Sequence, residues 1–173
     1  MKPPVAKKIP YTLEKHGHVR TDYYYWMKER ENPDVTDYLK KENAYTKYIM
    51  KDTLQLQDNL YHEIIGRIKQ TDRSVPYKDN GYYYYIRYEE GNEYPIYCRR
   101  KENMDNPEEI LINVNDLAKG HSFYQVSGIT VSEYNTTIAF AEDTIGRRLY
   151  TLRFKNLKTG EYLTDKIKNT NGK

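Results

Sequence analysis

Nucleophilic hydrolysis needs a serine, threonine or cysteine held beside a base, with donors aimed at the developing oxyanion. This chain of 173 residues has four serines, Ser74, Ser122, Ser127 and Ser132, and a single cysteine, Cys98. No serine stands in a Gly-x-Ser-x-Gly elbow, and none sits between a strand pattern and a helix pattern. Cys98 lies between Tyr97 and Arg99 in a strand-like run; nearby arginines would lower its pKa, whereas burial would make it an inert core thiol, the favoured reading. For a metal, His16-Gly17-His18 with Asp22 is the one cluster worth naming, a weak signal on an extended arm. His62 and His121 are isolated. Glu89-Glu90 and Glu108-Glu109 are consecutive carboxylates on strand-like runs; they face opposite ways and are expected to be solvated. No glycine-rich phosphate loop occurs. The expectation is therefore no catalytic, cofactor-binding or metal-binding residue in this chain, and no cofactor.

Tyr82–Tyr85 beside Arg87, Arg99 and Arg100 could stack nucleic-acid bases along a basic track. The net charge is only +3, evenly spread, so an aromatic sheet interior is favoured, and neither nucleic acid nor an anionic membrane is expected as a partner. Hydrophobic residues make up 38%, low for a compact globule, yet 20 tyrosines argue against disorder because each buries a large ring while keeping its hydroxyl wet. No run of about 18 apolar residues exists, and the proline-rich start has no apolar stretch behind it. One cysteine permits no internal disulfide and fits a reducing compartment, so a cytoplasmic chain is expected.

The elements that would position these residues fall into two kinds. After an irregular start with Pro3, Pro4 and Pro10 comes the aromatic patch Asp22–Trp26, which either packs locally or anchors another domain. Asn32-Pro33-Asp34 reads as a capped helix start, and Val35, Tyr38, Leu39, Tyr45 and Ile49 carry that helix to about Met50. A second helix is expected from Asp52, with Gln55 as its capping-box partner and a stripe of Leu56, Leu60, Ile64 and Ile68. Two such helices share too little core to stand alone. Pro76 ends the helical period. Three strands then follow, Tyr82–Tyr88, Tyr94–Arg100 and Glu109–Val114, and residues 115–122 link them to a second meander. That meander runs through Ile129–Val131, Ile138–Ala141 and Leu149–Lys155, the last with Tyr150, Leu152 and Phe154 on a buried face and Thr151 and Arg153 on a wetted one. Gly160 supplies a positive-φ turn, and the final ten residues read as a polar tail or the start of a next strand.

The chain resembles the amino-terminal part of the oligopeptidase B branch of the prolyl oligopeptidase family of serine peptidases. The resemblance is carried by Pro3–Pro10, Asp22–Trp26, Glu42–Thr46, Gly66–Lys69 with Ser74–Pro76, Gly81–Tyr85, Tyr94–Lys101 and Ala141–Arg153. Tyr94–Lys101 favours the oligopeptidase B branch. The resemblance implies an α+β fragment, a helical arm followed by antiparallel meanders that are the first blades of a seven-bladed β-propeller. Residues 1–72 would be the arm that packs on an α/β-hydrolase domain, 73–117 the first blade, 118–163 the second, and 164–173 a next strand or tail. It further implies an enzyme cleaving short basic peptides after Lys or Arg. The partners expected are the absent hydrolase domain, with its Ser-Asp-His triad, and the remaining blades; this piece alone is expected to be inactive. Asn135 stands where a blade corner often has glycine, and asparagine tolerates left-handed geometry too. The alternative is a free-standing protein-binding module with incomplete propeller-like blades.

Overall fold

The computed structural model describes residues 1–172. It divides into two compact units, Met1–Ile68 and a second from Lys69 onward.

The first unit opens with an antiparallel hairpin, β1 (Tyr11–Lys15) and β2 (His18–Asp22), in the register Lys15↔His18 to Tyr11↔Asp22. Its two-residue loop, His16-Gly17, has φ 54° and 77°, the double left-handed turn that matches strand twist. Residues 1–10 are irregular, as their prolines imply, but the chain from Tyr11 to Asp22 is a hairpin. A 3-10 turn at Tyr25–Lys28 follows and buries Trp26, whose Nε1 donates to the Lys7 carbonyl at 3.0 Å. Within the aromatic patch Trp26 thus packs locally, whereas Tyr23 and Tyr24 stay exposed. Tyr11 stacks on Tyr25 with centroids 4.0 Å apart. Helix α1 spans Pro33–Met50, capped by Asn32, whose side chain accepts from the Asp34 amide. A 3-10 turn, Lys51–Thr53, passes into α2 (Leu54–Gly66). The expected capping box is not made: Thr53 rather than Asp52 precedes α2, no side chain caps it, and Gln55 bonds Asn59 instead.

The second unit holds two four-stranded antiparallel meanders. The first runs β3 (Tyr77–Asp79), β4 (Tyr82–Arg87), β5 (Ile96–Lys101), β6 (Glu108–Asn113) in spatial order. Asn80-Gly81 makes the β3–β4 turn with φ 42° and 81°. Upstream, Arg73 bridges Arg87, and Pro76, which has no N–H to give, interrupts what would be one longer edge strand. The link to the second sheet contains a single helical turn, α3 (Val114–Leu117). The second sheet is β7 (Gln125–Val131), β8 (Thr137–Asp143), β9 (Tyr150–Asn156) and β10 (Tyr162–Thr170). Residues 164–170 lie in β10, which follows the Gly160 turn and runs antiparallel to β9. Lys173 lies outside the described residues.

The core of this unit lies between the sheets, where Tyr84, Leu111 and Ile112 of the first meet Ile138 and Phe140 of the second, with Val114, Ala118 and Tyr124 from the link. Strand register decides which face of β9 joins them. Phe140 pairs with Arg153 and Ile138 with Lys155, so Arg153 and Lys155 share the core-facing side. Tyr150 is buried as expected, but Leu152 and Phe154 on its face are only half-buried, no more withdrawn than Arg153 on the core-facing side.

Candidate functional site

The structure scatters the residues that could do chemistry. The Ser74 hydroxyl accepts from the Ile86 amide, Ser127 donates to the Gly172 carbonyl, and Ser132 accepts from Thr136 and Thr137 in the β7–β8 corner. Each of these hydroxyls closes a backbone gap. Cys98 is buried with Tyr85, Ile96 and Met104, and its thiol is pushed up to about 11, first by desolvation and then by Glu108. Arg99 cannot activate it, because successive strand residues point to opposite faces. His16 and His18 flank the hairpin tip while Asp22 lies at the far end of β2, accepting from the Tyr24 amide. Among the described residues no group of three metal-ligating side chains comes together.

The glutamate pair departs from expectation. Glu108 and Glu109 do face opposite ways, yet each pairs with an arginine. Glu108 receives the Tyr85 hydroxyl at 2.5 Å and Arg87 Nε at 3.0 Å. Its burial would raise the carboxyl pKa, but the bonds from Tyr85 and Arg87 outweigh that and hold it below the usual value. Glu109 takes a bidentate grip from Arg99, at 2.6 and 3.1 Å.

Arg99 is 2% exposed and reaches across the seam between the sheets. Its Nη1 donates to Asn135 Oδ1 at 2.9 Å, and its plane lies over the Tyr82 ring, 4.0 Å from the centroid. Asn80 Nδ2 donates to the Glu133 carbonyl at 2.6 Å from the neighbouring turn. Sequence reasoning missed this contact; the left-handed Asn135 was visible, but not that its amide would be spoken for. A second polar group sits on the core-facing side of the other sheet. Glu142 accepts from Arg153 at 2.7 Å and from the Tyr124 hydroxyl, and Arg153 lies over the Tyr162 ring. Burial, and then the bond to Glu142, push the Tyr124 phenol up. Nearby, a pocket of 320 Å³ is lined by Tyr94, Pro95, Tyr97, Val114, Phe123, Tyr124, Gln125 and Val126. Its walls are aromatic and aliphatic, with no nucleophile beside a base.

The other open feature is on the first unit. Leu54, Leu56, Leu60, Tyr61 and Ile64 of α2 are between 47% and 64% exposed, and Leu39 and Ile49 of α1 are equally open. Among the described residues no helix is long and apolar enough to cross a membrane. An apolar helical stripe of this extent on a water-facing helix marks a surface made to be covered.

Paired four-stranded antiparallel meanders with a shared core define a propeller-type β domain, here preceded by a helical unit. The sequence model of the prolyl oligopeptidase N-terminal beta-propeller domain matches residues 3–173, and the chain belongs to that family. It is 43% identical to dipeptidyl aminopeptidase BI of Pseudoxanthomonas mexicana, over 96% of this chain and 25% of that protein. It is 34% identical to Protease 2 of Moraxella lacunata, over 98% of this chain and 25% of that one. The structure of oligopeptidase B from Leishmania major superimposes with a TM-score of 0.88 at 33% identity, covering 99% of this chain and 27% of that chain. The chain thus spans about a quarter of the length of the curated relatives it matches.

Proposed function

We propose that this chain supplies the helical arm and the first two propeller blades of an oligopeptidase B-like serine endopeptidase that cleaves short peptides after Lys or Arg. Residues 1–72 are the arm, 73–117 the first blade and 118–163 the second, which β10 extends. The Ser-Asp-His triad belongs to an α/β-hydrolase domain outside these residues, and the arm docks there through the stripe of α1 and α2. The uncovered stripe carries this reading: five large apolar side chains of α2 stand open on a helix that buries none of its residues. The blades act with further blades as a cap that limits substrate size. A buried, unpaired Cys98 suits a reducing compartment, so we place the activity in the cytoplasm.

The test is a peptidase assay with short chromogenic substrates ending in Lys or Arg. The 173-residue chain alone is expected to show no turnover, and the same chain followed by a hydrolase domain is expected to cleave after the basic residue. Turnover by the chain alone overturns the assignment of the triad to another domain. The 43% identity to a protein named dipeptidyl aminopeptidase favours a second reading, release of amino-terminal dipeptides. Blocking the substrate's amino terminus separates the two, because only the endopeptidase tolerates the block.

A further inference from the structure

The β7–β8 corner, Ser132–Thr136, is held by the first sheet through bonds that converge on one asparagine. Asn135 has φ 58°, a conformation usually given to glycine. Its side chain is engaged at both ends. Oδ1 accepts from Arg99 Nη1 at 2.9 Å and lies 3.4 Å from the Tyr84 hydroxyl, while Nδ2 faces the Asn80 carbonyl at 3.4 Å. Its carbonyl lies 3.5 Å from Arg99 Nη2. Arg99 itself is neutralised within its own sheet by Glu109. What it offers across the seam is therefore donor geometry, aimed at a neutral amide.

We propose that Arg99 and Asn135 form a latch that sets the register of one sheet on the other, with Asn135 as a positioning residue chosen for its amide and not only for its backbone freedom. Apolar packing between Tyr84, Ile112, Ile138 and Phe140 is non-directional and leaves sliding of one sheet over the other weakly opposed. A fixed guanidinium fork gripping one side chain and one carbonyl of the corner supplies the missing direction. The latch also explains why a buried arginine is tolerated: its donors go to Glu109, Asn135 and Tyr84, and its face to Tyr82.

Backbone conformation and side-chain contact predict opposite results for one substitution. If Asn135 serves only its left-handed φ, Asn135→Gly is neutral or stabilising. If it is the latch, Asn135→Gly exposes the loss of the Arg99 bond, while Asn135→Asp keeps an oxygen for Arg99. Asn169 provides the matched control, since it has φ 60°, is exposed, and makes no side-chain hydrogen bond among the described residues. The experiment is thermal unfolding of the 173-residue chain, followed by tryptophan-independent circular dichroism, with hydrogen exchange read at residues 132–137. We expect Asn135→Gly to lower Tm by about 4 °C or more and to speed exchange at the corner. Asn169→Gly should leave Tm unchanged or raised, and Asn135→Asp, which keeps the acceptor for Arg99 but loses the donor facing the Asn80 carbonyl, should fall between the parent and Asn135→Gly. In an Arg99→Met background, Asn135→Gly should cost little more. An Asn135→Gly variant as stable as the parent overturns the latch, and so does full additivity of the two substitutions.

Discussion

The two units are built from similar side chains and end in opposite states. From Lys69 onward, Phe140, Ile96, Leu111, Ile112 and Ile138 are almost wholly withdrawn from water. In the first unit only Trp26 and Val35 are buried, while the leucines and isoleucines of α2 stand open. The difference lies in geometry. Two twisted sheets can face one another and bury a shared core between them, whereas two consecutive helices joined by a single 3-10 turn each keep a stripe with nothing to face. Burying an apolar side chain gains about 1.5–3 kcal/mol, a gain the second unit collects internally and the first leaves uncollected.

Several substitutions would break or sharpen that contrast. The largest effect is expected at Phe140: Phe140→Ala should cost about 3–5 kcal/mol in denaturant unfolding, because the surrounding sheets cannot close the cavity. An unchanged midpoint would mean that the inter-sheet core is not tight. Next is acid sensitivity. Asp143 is buried and accepts from the amides of Ile145, Gly146 and Arg148. Burial alone would raise its pKa, but those amides outweigh it and hold the carboxyl below its ordinary 3.8. Its stabilising contribution is complete above that ordinary value and is lost as pH falls through the lower folded one. Asp143→Asn should therefore flatten the acid limb of a stability–pH curve for the second unit; an unaltered limb would assign acid sensitivity elsewhere, with Glu108 the next carboxylate to examine.

Within the first unit the effects are smaller. Trp26→Phe keeps an aromatic side chain but replaces the indole with a smaller ring and removes the bond to the Lys7 carbonyl, and should cost about 1–2 kcal/mol or more of that unit's stability. Asn32→Ala removes the α1 cap and should lower helix content at a cost of about 1 kcal/mol, measurable by circular dichroism. The smallest effect is the most telling. Leu60→Ala should change stability by less than about 0.5 kcal/mol, since the side chain touches little. A multi-kcal/mol loss would mean that α2 is already covered in this chain.

Local chemistry was legible in the sequence at several residues that govern their own backbone, though not at Asp52 and Gln55. Asn32-Pro33-Asp34 marked α1, Gly160 marked a turn, and Asn135 its left-handed corner. The propeller-type fold and the family were legible from Tyr94–Lys101 and Ala141–Arg153 together with the meander spacing. Long-range register was not. Whether Arg153 or Leu152 faces the core depends on which residue of β8 it pairs with, and period two alone leaves both faces possible. The β1–β2 hairpin was missed because His16-Gly17 is a weaker turn signal than Asn-Gly. Glu108 and Glu109 could not be read as ion-paired, since their arginines lie on other strands, Arg87 on β4 and Arg99 on β5.

Hydrogen exchange across the 173-residue chain tests most directly the contrast between a self-packed pair of sheets and a helical unit with an uncovered stripe. Amides of β4, β5, β8 and β9 should be protected together and released in one cooperative opening, while α2 exchanges orders of magnitude faster. Protection of α2 equal to that of β8 would contradict it, and would mean that the stripe already has its cover.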